Sequence, residues 1–210
     1  QVPVPRRLRF GVNSRRGADG TRIAKPTEAE LRKLRERLSK SRAETIAIGL
    51  LHSFSHPKDE KEIERALRPL GIPITCSADL LPVSGEFERF TASILNAATR
   101  PKLSAYLGGL VRPVRPGQLR LMRSSGGIMS AAEASTFPAR AMFSGPAGGV
   151  IATRALAAWG GWDEVAALDM GGTSTDVCLV RPDTTVSDST IAGLPLSIPA
   201  VEVHTVGCGG

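Results

Sequence analysis

The sequence predicts an α/β protein with a mixed sheet flanked by helices, and three observations carry that prediction. A strand, a helix and a second strand follow one another between Thr45 and Ser77, which is the order of a βαβ unit. A glycine-rich turn joins two short apolar segments between Glu164 and Arg181. Helical periodicity accounts for the longest remaining segments.

The first elements are marked by turn and capping residues. Arg6 to Val12 is predicted to be a short strand, and Asp19-Gly20 is a hairpin turn signal. A helix is predicted to begin at Pro26-Thr27, because acidic residues follow at once and leucines recur at helical spacing. A second helix begins at Pro57, where proline is tolerated, and ends at Gly71.

The strands of the βαβ unit lie on either side of that second helix. They are predicted at Thr45 to Leu51 and at Ile72 to Ser77. A long helical pattern then runs from Glu86 to Leu110, and Pro101 is expected to kink or divide it.

The last third of the chain is richer in glycine and small residues. A strand is predicted at Leu119 to Arg123, and a short helix begins at Ser130. A helix from Val150 to Trp159 is followed by the strands Glu164 to Asp169 and Asp176 to Arg181. The proline-rich stretch near residue 115 is the best boundary, which predicts two segments, residues 1–115 and 116–210.

Charge and aromatic content argue against a nucleic-acid partner. The 210-residue chain carries a net charge of +7 with 27 lysines and arginines, and clustered cations are what a phosphate backbone binds. Between Glu28 and Lys40, however, the basic residues alternate with glutamates, as on a solvated helix face. One tyrosine, two tryptophans and six phenylalanines offer no platform for stacked bases.

Hydropathy and cysteine usage predict a cytoplasmic protein without a membrane partner. No apolar run approaches the roughly 18 to 20 residues that span a bilayer, and the start of the chain lacks the apolar core of a signal peptide. Cys76, Cys178 and Cys208 are far apart, with no CxxC pair that would indicate a zinc or redox centre.

The segment Asp169-Met-Gly-Gly-Thr-Ser-Thr-Asp176 is the most informative part of the sequence. A turn with two glycines and adjacent hydroxyls presents backbone N–H groups to an anion such as a phosphate. Asp169 and Asp176 would lie beside it, where they can hold Mg²⁺ or orient a nucleophile. We expect Gly171 or Gly172 to have a positive φ or crowded neighbours. The alternative is an ordinary hairpin whose polar side chains satisfy turn hydrogen bonds.

This segment resembles the second phosphate loop of the superfamily that contains actin, sugar kinases and heat-shock chaperones. In that superfamily a helix rich in small residues precedes the loop, and Ser144-Gly-Pro-Ala-Gly-Gly149 with the helix to Trp159 stands in that place here. The resemblance implies a ribonuclease-H-like, actin-like ATPase lobe, incomplete in this chain.

Four segments together narrow the resemblance to the hydantoinase A and oxoprolinase family. They are Ser125-Gly-Gly-Ile-Met, Ser144-Gly-Pro-Ala-Gly-Gly, Asp169-Met-Gly-Gly-Thr-Ser-Thr-Asp and Val203-His-Thr-Val-Gly. Upstream, Leu50 to Phe54 and Glu86 to Phe90 are also similar, so that the likeness covers nearly all 210 residues. Ser125 departs from the asparagine usual in the family, and Cys208 departs from a small alanine.

The resemblance assigns roles to individual residues. Contacts to nucleotide phosphate are implied for the turn residues Gly171, Gly172, Thr173, Ser174 and Thr175. The preceding segment, with Ser144, Gly145, Gly148 and Gly149, is implied to border the nucleotide and to couple it to closure of the lobes. Asp169 and Asp176 are the implied magnesium ligands and catalytic residues.

His204 is a third candidate catalytic residue. It lies beside Glu202 on a predicted strand from Val201 to Val206, where alternation puts both side chains on one face. A lone histidine on a strand is also a common structural group, and both interpretations stay open.

Five other polar residues lie near predicted loops. His52 and His56 lie outside any catalytic pattern and are interpreted as structural. Glu86, Glu88 and Arg89 are explained equally by an exposed helix face and by an approach to substrate.

Enzymes of the family use ATP to open a stable cyclic amide, such as a hydantoin or 5-oxoproline, and some relatives activate a carbonyl for carboxylation. Phosphorylation of the amide oxygen gives a poor electrophile a good leaving group, and the protein positions the reactants and stabilises phosphate charge. The resemblance implies ATP and Mg²⁺ as cofactors and a second subunit or a homo-oligomer. A sugar or acyl kinase and a non-catalytic actin-like nucleotide switch are the alternatives.

The resemblance further predicts that the chain is an internal fragment of a longer enzyme, with the first phosphate loop before Gln1 and an adenosine-side segment after Gly210. Charge-assisted hydrogen bonds contribute roughly 1.5 to 3 kcal/mol each, so half of a phosphate clamp is expected to bind nucleotide at best in the millimolar range. Residues 1–210 alone are expected to be inactive.

Overall fold

The structure, a computed structural model, describes residues 4–111, 117–172, 174–181, 186–191 and 193–207. It is a mixed α/β protein, which confirms the predicted class. Residues group into two compact units, Gln1–Ala105 with Ile191–Ser197, and Tyr106–Thr190 with Ile198–Gly210. The boundary predicted near residue 115 lies outside the described residues. Among the helices described, none is long and apolar enough to cross a membrane.

The first unit contains a small two-stranded parallel sheet and the helices that pack against it. Its elements are β1 Arg15–Arg16, β2 Arg22–Ala24, α1 Glu28–Lys40, β3 Ile46–Ile48, α2 Lys58–Leu67, β4 Ile74–Cys76, α3 Ser77–Leu80 and most of α4 Glu86–Val111, with 3₁₀ helices at Arg6–Leu8 and Arg68–Leu70. β3 and β4 are parallel, with Ile46 opposite Ile74. The βαβ prediction is therefore confirmed.

Local sequence explains where α1 and the helix after Pro57 begin and end. Thr27 and Glu30 form a reciprocal capping box at the start of α1, in which each side chain accepts the other residue's backbone N–H. Gly71 adopts a left-handed φ of 66° and terminates the helical segment that follows Pro57. The leucines and isoleucines of α1, α2, β3 and β4 then form one buried cluster.

One prediction for this part of the chain was wrong, and a second is answered in part. Arg6–Leu8 is a 3₁₀ helix, because the N–H groups of Leu8 and Arg9 bond back to Pro5 and Arg6, and among the described residues no strand pairs with the segment. Of the two outcomes expected at Pro101, division of the helix does not occur, since α4 runs from Glu86 to Val111 through it. Burial of Ala92 and Ala97 on this helix offsets the lost hydrogen bond.

The second unit contains an antiparallel sheet packed on one long helix. Its elements are β5 Arg120–Met122, β6 Ile128–Ser130, α5 Ala131–Thr136, α6 Ser144–Gly160, β7 Val165–Met170, β8 Thr175–Val180, β9 Val186–Ile191, part of β10 Leu194–Val201 and β11 His204–Val206, with a 3₁₀ helix at Pro138–Ala141. The order β11-β8-β7 forms a three-stranded sheet. In the described residues the strands form separate small sheets rather than the single mixed sheet that was predicted.

Helix α6 begins six residues earlier than its apolar pattern predicts. Ser144-Gly-Pro-Ala-Gly-Gly149 is helical rather than a loop. Pro146 lies in the first turn, where a missing N–H costs nothing. Ala147 and Val150 are 0% and 1% exposed, and their burial compensates for the poor helix propensity of the glycines.

Candidate functional site

The turn between β7 and β8 is the closed end of a hairpin, and two aspartates flank it. β7 and β8 are antiparallel, and Asp169 lies directly opposite Asp176. The backbone N–H of Gly171 donates to the carbonyl of Ser174 at 2.9 Å and closes the turn. Thr173, a predicted phosphate contact, lies outside the described residues. Both glycines are exposed, and Ser174 is half-buried.

The expectation for the glycines of this turn was wrong. Neither Gly171 nor Gly172 has a positive φ. A Cβ at Gly171 would meet nothing closer than 3.5 Å, and one at Gly172 would meet nothing within 4 Å. The hairpin is closed by its own backbone hydrogen bond, so its geometry does not depend on a left-handed residue at either position.

The two aspartates form a pair of like charges. Residues directly opposite in an antiparallel pair have Cβ atoms about 4.5 to 5.5 Å apart and share a face, and like charges there are destabilising. Within the described residues, no lysine, arginine or histidine forms an ion pair with Asp169 or Asp176. Carboxylates are the ligands that Mg²⁺ takes in proteins, so the donor set fits that ion.

The aspartate pair lies on the face of the sheet that packs on α6. Cys178 and Val180, on the same face of β8 as Asp176, contact Val150 of α6. α6 ends at Gly160 and β7 begins at Val165, so the chain reverses within a short turn. Val150, in the N-terminal half of α6, therefore packs against residues two and four positions along β8 from Asp176.

The N-terminal end of α6 has no side-chain cap among the described residues and has open space around its glycines. Its N-cap residue, Phe143, makes no side-chain capping bond, and such an end attracts anions through its N–H groups and the helix dipole. Ser144 is half-buried. Around Gly145, Gly148 and Gly149 an added Cβ would meet nothing within 4 Å.

The glycines within α6 are not required by packing inside the described chain. A glycine in a helix interior costs roughly 0.5 to 1 kcal/mol relative to alanine. Gly148 and Gly149 carry that cost although alanine would fit. Their occurrence is explained if another molecule approaches the helix backbone here.

A second glycine turn lies against the same half of α6. The turn joins β5 to β6, and Ser124 within it is fully buried. The Ser124 hydroxyl accepts the backbone N–H of Phe143 at 3.1 Å. Gly126 has a φ of 92°, and a Cβ there would lie 2.8 Å from Ile151. The segment Ser125-Gly-Gly-Ile-Met therefore begins beside the N-terminal half of α6.

Strand β11 brings Thr205, rather than His204, to the aspartate pair. Thr205 is opposite Asp176 in the ladder, whereas His204 is opposite Val177. The Thr205 hydroxyl donates to Asp176 Oδ1 at 2.6 Å. Neighbouring residues on a strand face opposite ways, so His204 and the buried Thr175 lie on the other face of the sheet.

The predicted pairing of Glu202 with His204 was wrong, because Glu202 falls between β10 and β11 instead of on one strand with His204. Thr205 had no sequence signal of its own. Only the register of β11 against β8, which is a long-range pairing, identifies it.

One other group of possible metal ligands occurs among the described residues. Glu64, Cys76 and Asp79 lie within 4.8 Å of one another in the first unit. The Lys61 ammonium group already bonds to both carboxylates, and these bonds outweigh its burial and raise its pKa. Burial raises the pKa of the Cys76 thiol above its usual range. A protein cation therefore occupies the place that a metal would take.

The comparison with known families gives two matches. A family model described as hydantoinase/oxoprolinase matches residues 89–210. A model of the hydantoinase/oxoprolinase N-terminal region matches residues 1–71.

Individual relatives agree with the family models. The acetone carboxylase beta subunit of Xanthobacter autotrophicus is 34% identical over 98% of this chain and 30% of its own length. The 5-oxoprolinase of Saccharomyces cerevisiae is 29% identical over 90% of this chain and 15% of its own length. This chain therefore spans a third or less of the relatives that it matches.

Solved structures of two relatives have the same fold as this chain. A nucleotide-free structure from work on ATP-dependent acetone carboxylation superposes with a TM-score of 0.83 at 34% identity, and covers 98% of this chain and 30% of that one. The ATP-dependent caprolactamase from Pseudomonas jessenii superposes with a TM-score of 0.82 at 25% identity, and covers 99% of this chain and 31% of that one.

Proposed function

The chain belongs to the hydantoinase/oxoprolinase family, and from that premise we propose that it forms part of an ATP-dependent enzyme that opens a cyclic amide through a phosphorylated amide oxygen. Its relatives include ATP-dependent enzymes and a 5-oxoprolinase. Because the chain spans about 30% of the acetone carboxylase subunit, the proposal concerns a longer protein that contains these residues.

The proposal gives each part of the site a role. The backbone N–H groups at the start of α6 and in the turn from Gly171 to Ser174 hold phosphate oxygens. Asp169 and Asp176 would hold Mg²⁺, directly or through water, and that ion would neutralise phosphate charge. Thr205 fixes one oxygen of Asp176 and leaves the other available. Protein groups thus position the phosphate for transfer rather than react with it.

One observation carries the proposal. The start of α6 without a side-chain cap, its open glycines and an aspartate pair without an ion pair among the described residues belong to one compact unit, in which α6 packs on the face of β8 that carries Asp176. Each feature alone has an ordinary structural explanation, but together they complement a phosphate group with its bound metal. We propose further that this unit is part of a ribonuclease-H-like ATPase lobe.

A second reaction is supported by the most similar of these relatives. The 34% identity to an acetone carboxylase subunit favours activation of a carbonyl for carboxylation as the alternative chemistry. A sugar or acyl kinase and a nucleotide switch share the same phosphate-binding features. Partnership with a second subunit, suggested by the beta-subunit relative, and a cytoplasmic location both stay predictions.

Product analysis distinguishes these functions. The full-length protein is incubated with ATP, Mg²⁺ and hydantoin, 5-oxoproline or caprolactam, and ADP, free phosphate and ring-opened product are counted. Equal amounts of all three support the proposal. A phosphorylated product without free phosphate indicates a kinase, and ADP formation that requires bicarbonate and a ketone indicates a carboxylase. ATP turnover at the same rate with and without each of these substrates indicates a nucleotide switch.

We expect Gly148→Ala to stabilise α6 and weaken ATP binding at the same time. Alanine lowers the cost of the helix by about 0.5 to 1 kcal/mol, but its methyl group occupies the space proposed for the nucleotide. Gly109→Ala is the matched control, since Gly109 is also helical with nothing within 4 Å of an added Cβ. Thermal unfolding and ATP calorimetry are compared. Unchanged ATP affinity in Gly148→Ala would contradict the assignment.

We expect Thr205→Val to weaken Mg²⁺ binding about 10-fold or more, because groups that orient a metal ligand typically contribute 10 to 100-fold in affinity. Valine keeps the shape and strand propensity of threonine and removes only the hydroxyl that bonds Asp176. Thr205→Ser restores the donor and should restore the affinity. The Mg²⁺ dependence of ATP turnover is measured for all three proteins, and equal curves would refute the role of Thr205.

A further inference from the structure

The loop that follows β3 contains a histidine in an unfavourable backbone conformation. His52 has a φ of 59°, in the left-handed region. A residue other than glycine pays of order 1 kcal/mol or more there, and such strain tends to occur at functional sites. Sequence reasoning had given His52 a structural role.

The hydrogen bonds of His52 determine which ring nitrogen is free. Nδ1 lies 2.9 Å from the backbone carbonyl of Arg16. Because a carbonyl only accepts, Nδ1 carries the proton, and Nε2 of the neutral ring has a lone pair. Among the described residues, no hydrogen bond reaches Nε2, and no buried side-chain nitrogen or oxygen is unpaired. Nε2 is therefore open to solvent.

The loop is held in place by a buried polar network. Glu60 and Arg89 are both fully buried. Glu60 accepts the Leu50 N–H at 3.0 Å and the Ser77 hydroxyl at 2.6 Å. Arg89 donates to the Leu50 carbonyl at 2.8 Å and to the Ser77 hydroxyl at 3.1 Å. The network thus fixes the segments that follow both β3 and β4.

This loop lies where α/β proteins place their ligands. β3 and β4 are parallel, so that Leu50 and Ser77 mark the carboxyl ends of both strands, and ligands of open α/β sheets bind at that edge. His52 is held at this edge by a buried network and has one ring nitrogen without a hydrogen bond among the described residues. A binding residue is expected to be held in this way.

A second acceptor lies beside His52. Glu86 Oε1 accepts the backbone N–H of His52 at 3.4 Å. Burial favours its neutral form, but hydrogen bonds from the backbone N–H groups of His52 and Glu86 itself outweigh burial and lower the pKa of the carboxyl. Phe87, the next residue, is 62% exposed. Glu86 thus holds the backbone of His52, and Phe87 adds an exposed apolar ring to the first turn of α4.

We propose that Nε2 of His52, in a loop whose backbone Glu86 helps to hold, accepts the ring N–H of a cyclic amide whose apolar carbons lie against Phe87. A ligand matched to an acceptor must donate, and an unphosphorylated cyclic amide donates through its ring nitrogen. This inference rests on the proposed function, whose site in the second unit it does not use. It gives the first unit the role of recognising the substrate.

The test compares two histidine variants of the full-length protein. His52→Asn keeps a donor near the Nδ1 position and tolerates a left-handed φ, but it removes Nε2. His56→Asn, in the same loop, is the control. Amide-dependent ADP formation is measured with caprolactam and with N-methylcaprolactam, which lacks the ring N–H. ATP affinity and thermal unfolding report on folding.

We expect His52→Asn to lower kcat/KM for caprolactam by about 10-fold, mainly through KM, as for loss of one hydrogen bond. The preference of His52→Asn for caprolactam over N-methylcaprolactam should fall by the same factor, and its ATP affinity should be unchanged. His56→Asn should behave like the wild-type protein in all three measurements. A preference that stays within twofold of wild type, or equal losses in both variants, overturns the role of His52 and leaves the proposed function standing. Wild-type protein that turns over no cyclic amide overturns both.

Discussion

Asp176→Asn is expected to lower ATP turnover of the full-length protein by about 100-fold, because a lost charge-assisted contact costs roughly 1.5 to 3 kcal/mol. Asparagine has the same shape as aspartate, and its side-chain oxygen can still accept the hydrogen bond from the Thr205 hydroxyl. It removes the charge that, with Asp169, would hold Mg²⁺. Initial rates of ADP formation over a range of Mg²⁺ concentrations measure the effect.

Asp163→Asn is the matched control for this substitution. Asp163 is an exposed carboxylate in the turn between α6 and β7, at the other end of the same hairpin. Asp163→Asn changes the net charge by the same amount as Asp176→Asn. A general electrostatic effect would therefore be equal in the two variants. Full activity in Asp176→Asn, or equal losses in the two variants, would contradict the proposed metal site.

Glu60→Ala is expected to lower the free energy of unfolding by at least about 2 kcal/mol, because each buried donor left without its acceptor costs roughly 1 to 3 kcal/mol. The substitution leaves the Ser77 hydroxyl, which accepts a hydrogen bond from Arg89, without its own acceptor. It also leaves the N–H groups of Leu50 and Ala78 unpaired, since Glu60 accepts both at 3.0 Å. Urea titration of the full-length protein, followed by fluorescence, measures the change.

A surface glutamate on the same helix provides the comparison for Glu60. Glu62 pairs with Arg22 and Lys25 at the surface, and exposed ion pairs contribute about 0 to 1 kcal/mol. Glu62→Ala should therefore have little effect. If Glu60→Ala unfolds at the same urea concentration as Glu62→Ala, the buried network does not hold the loops after β3 and β4.

Local patterns in the sequence were sufficient for elements that local chemistry determines. The βαβ unit follows from two apolar runs around an amphipathic helix, and the capping pair Thr27 and Glu30 marks where α1 begins. Asp169 and Asp176 were predicted to flank one turn because short-range spacing within a hairpin sets their positions. Features of this kind depend on residues that are close in the chain.

Features that depend on long-range pairing were not predicted. Thr205 reaches Asp176 only because β11 pairs with β8 in one register, and a shift by one residue would have brought His204 there instead. Arg89 was interpreted as part of an exposed helix face or a substrate contact, yet it is fully buried against Ser77 and Leu50. Its ion-pair partner Glu86 is close in the sequence, but its burial depends on acceptors from the segments after β3 and β4, which the neighbouring sequence does not show.

The most direct test of the central claim is a crystal structure of the full-length protein with Mg²⁺ and a non-hydrolysable ATP analogue. We predict that the terminal phosphate lies against the turn from Gly171 to Ser174 and the start of α6. The metal should be bound by Asp169 and Asp176 directly or through one water. A nucleotide bound elsewhere, with the aspartate pair facing only solvent, would contradict the account.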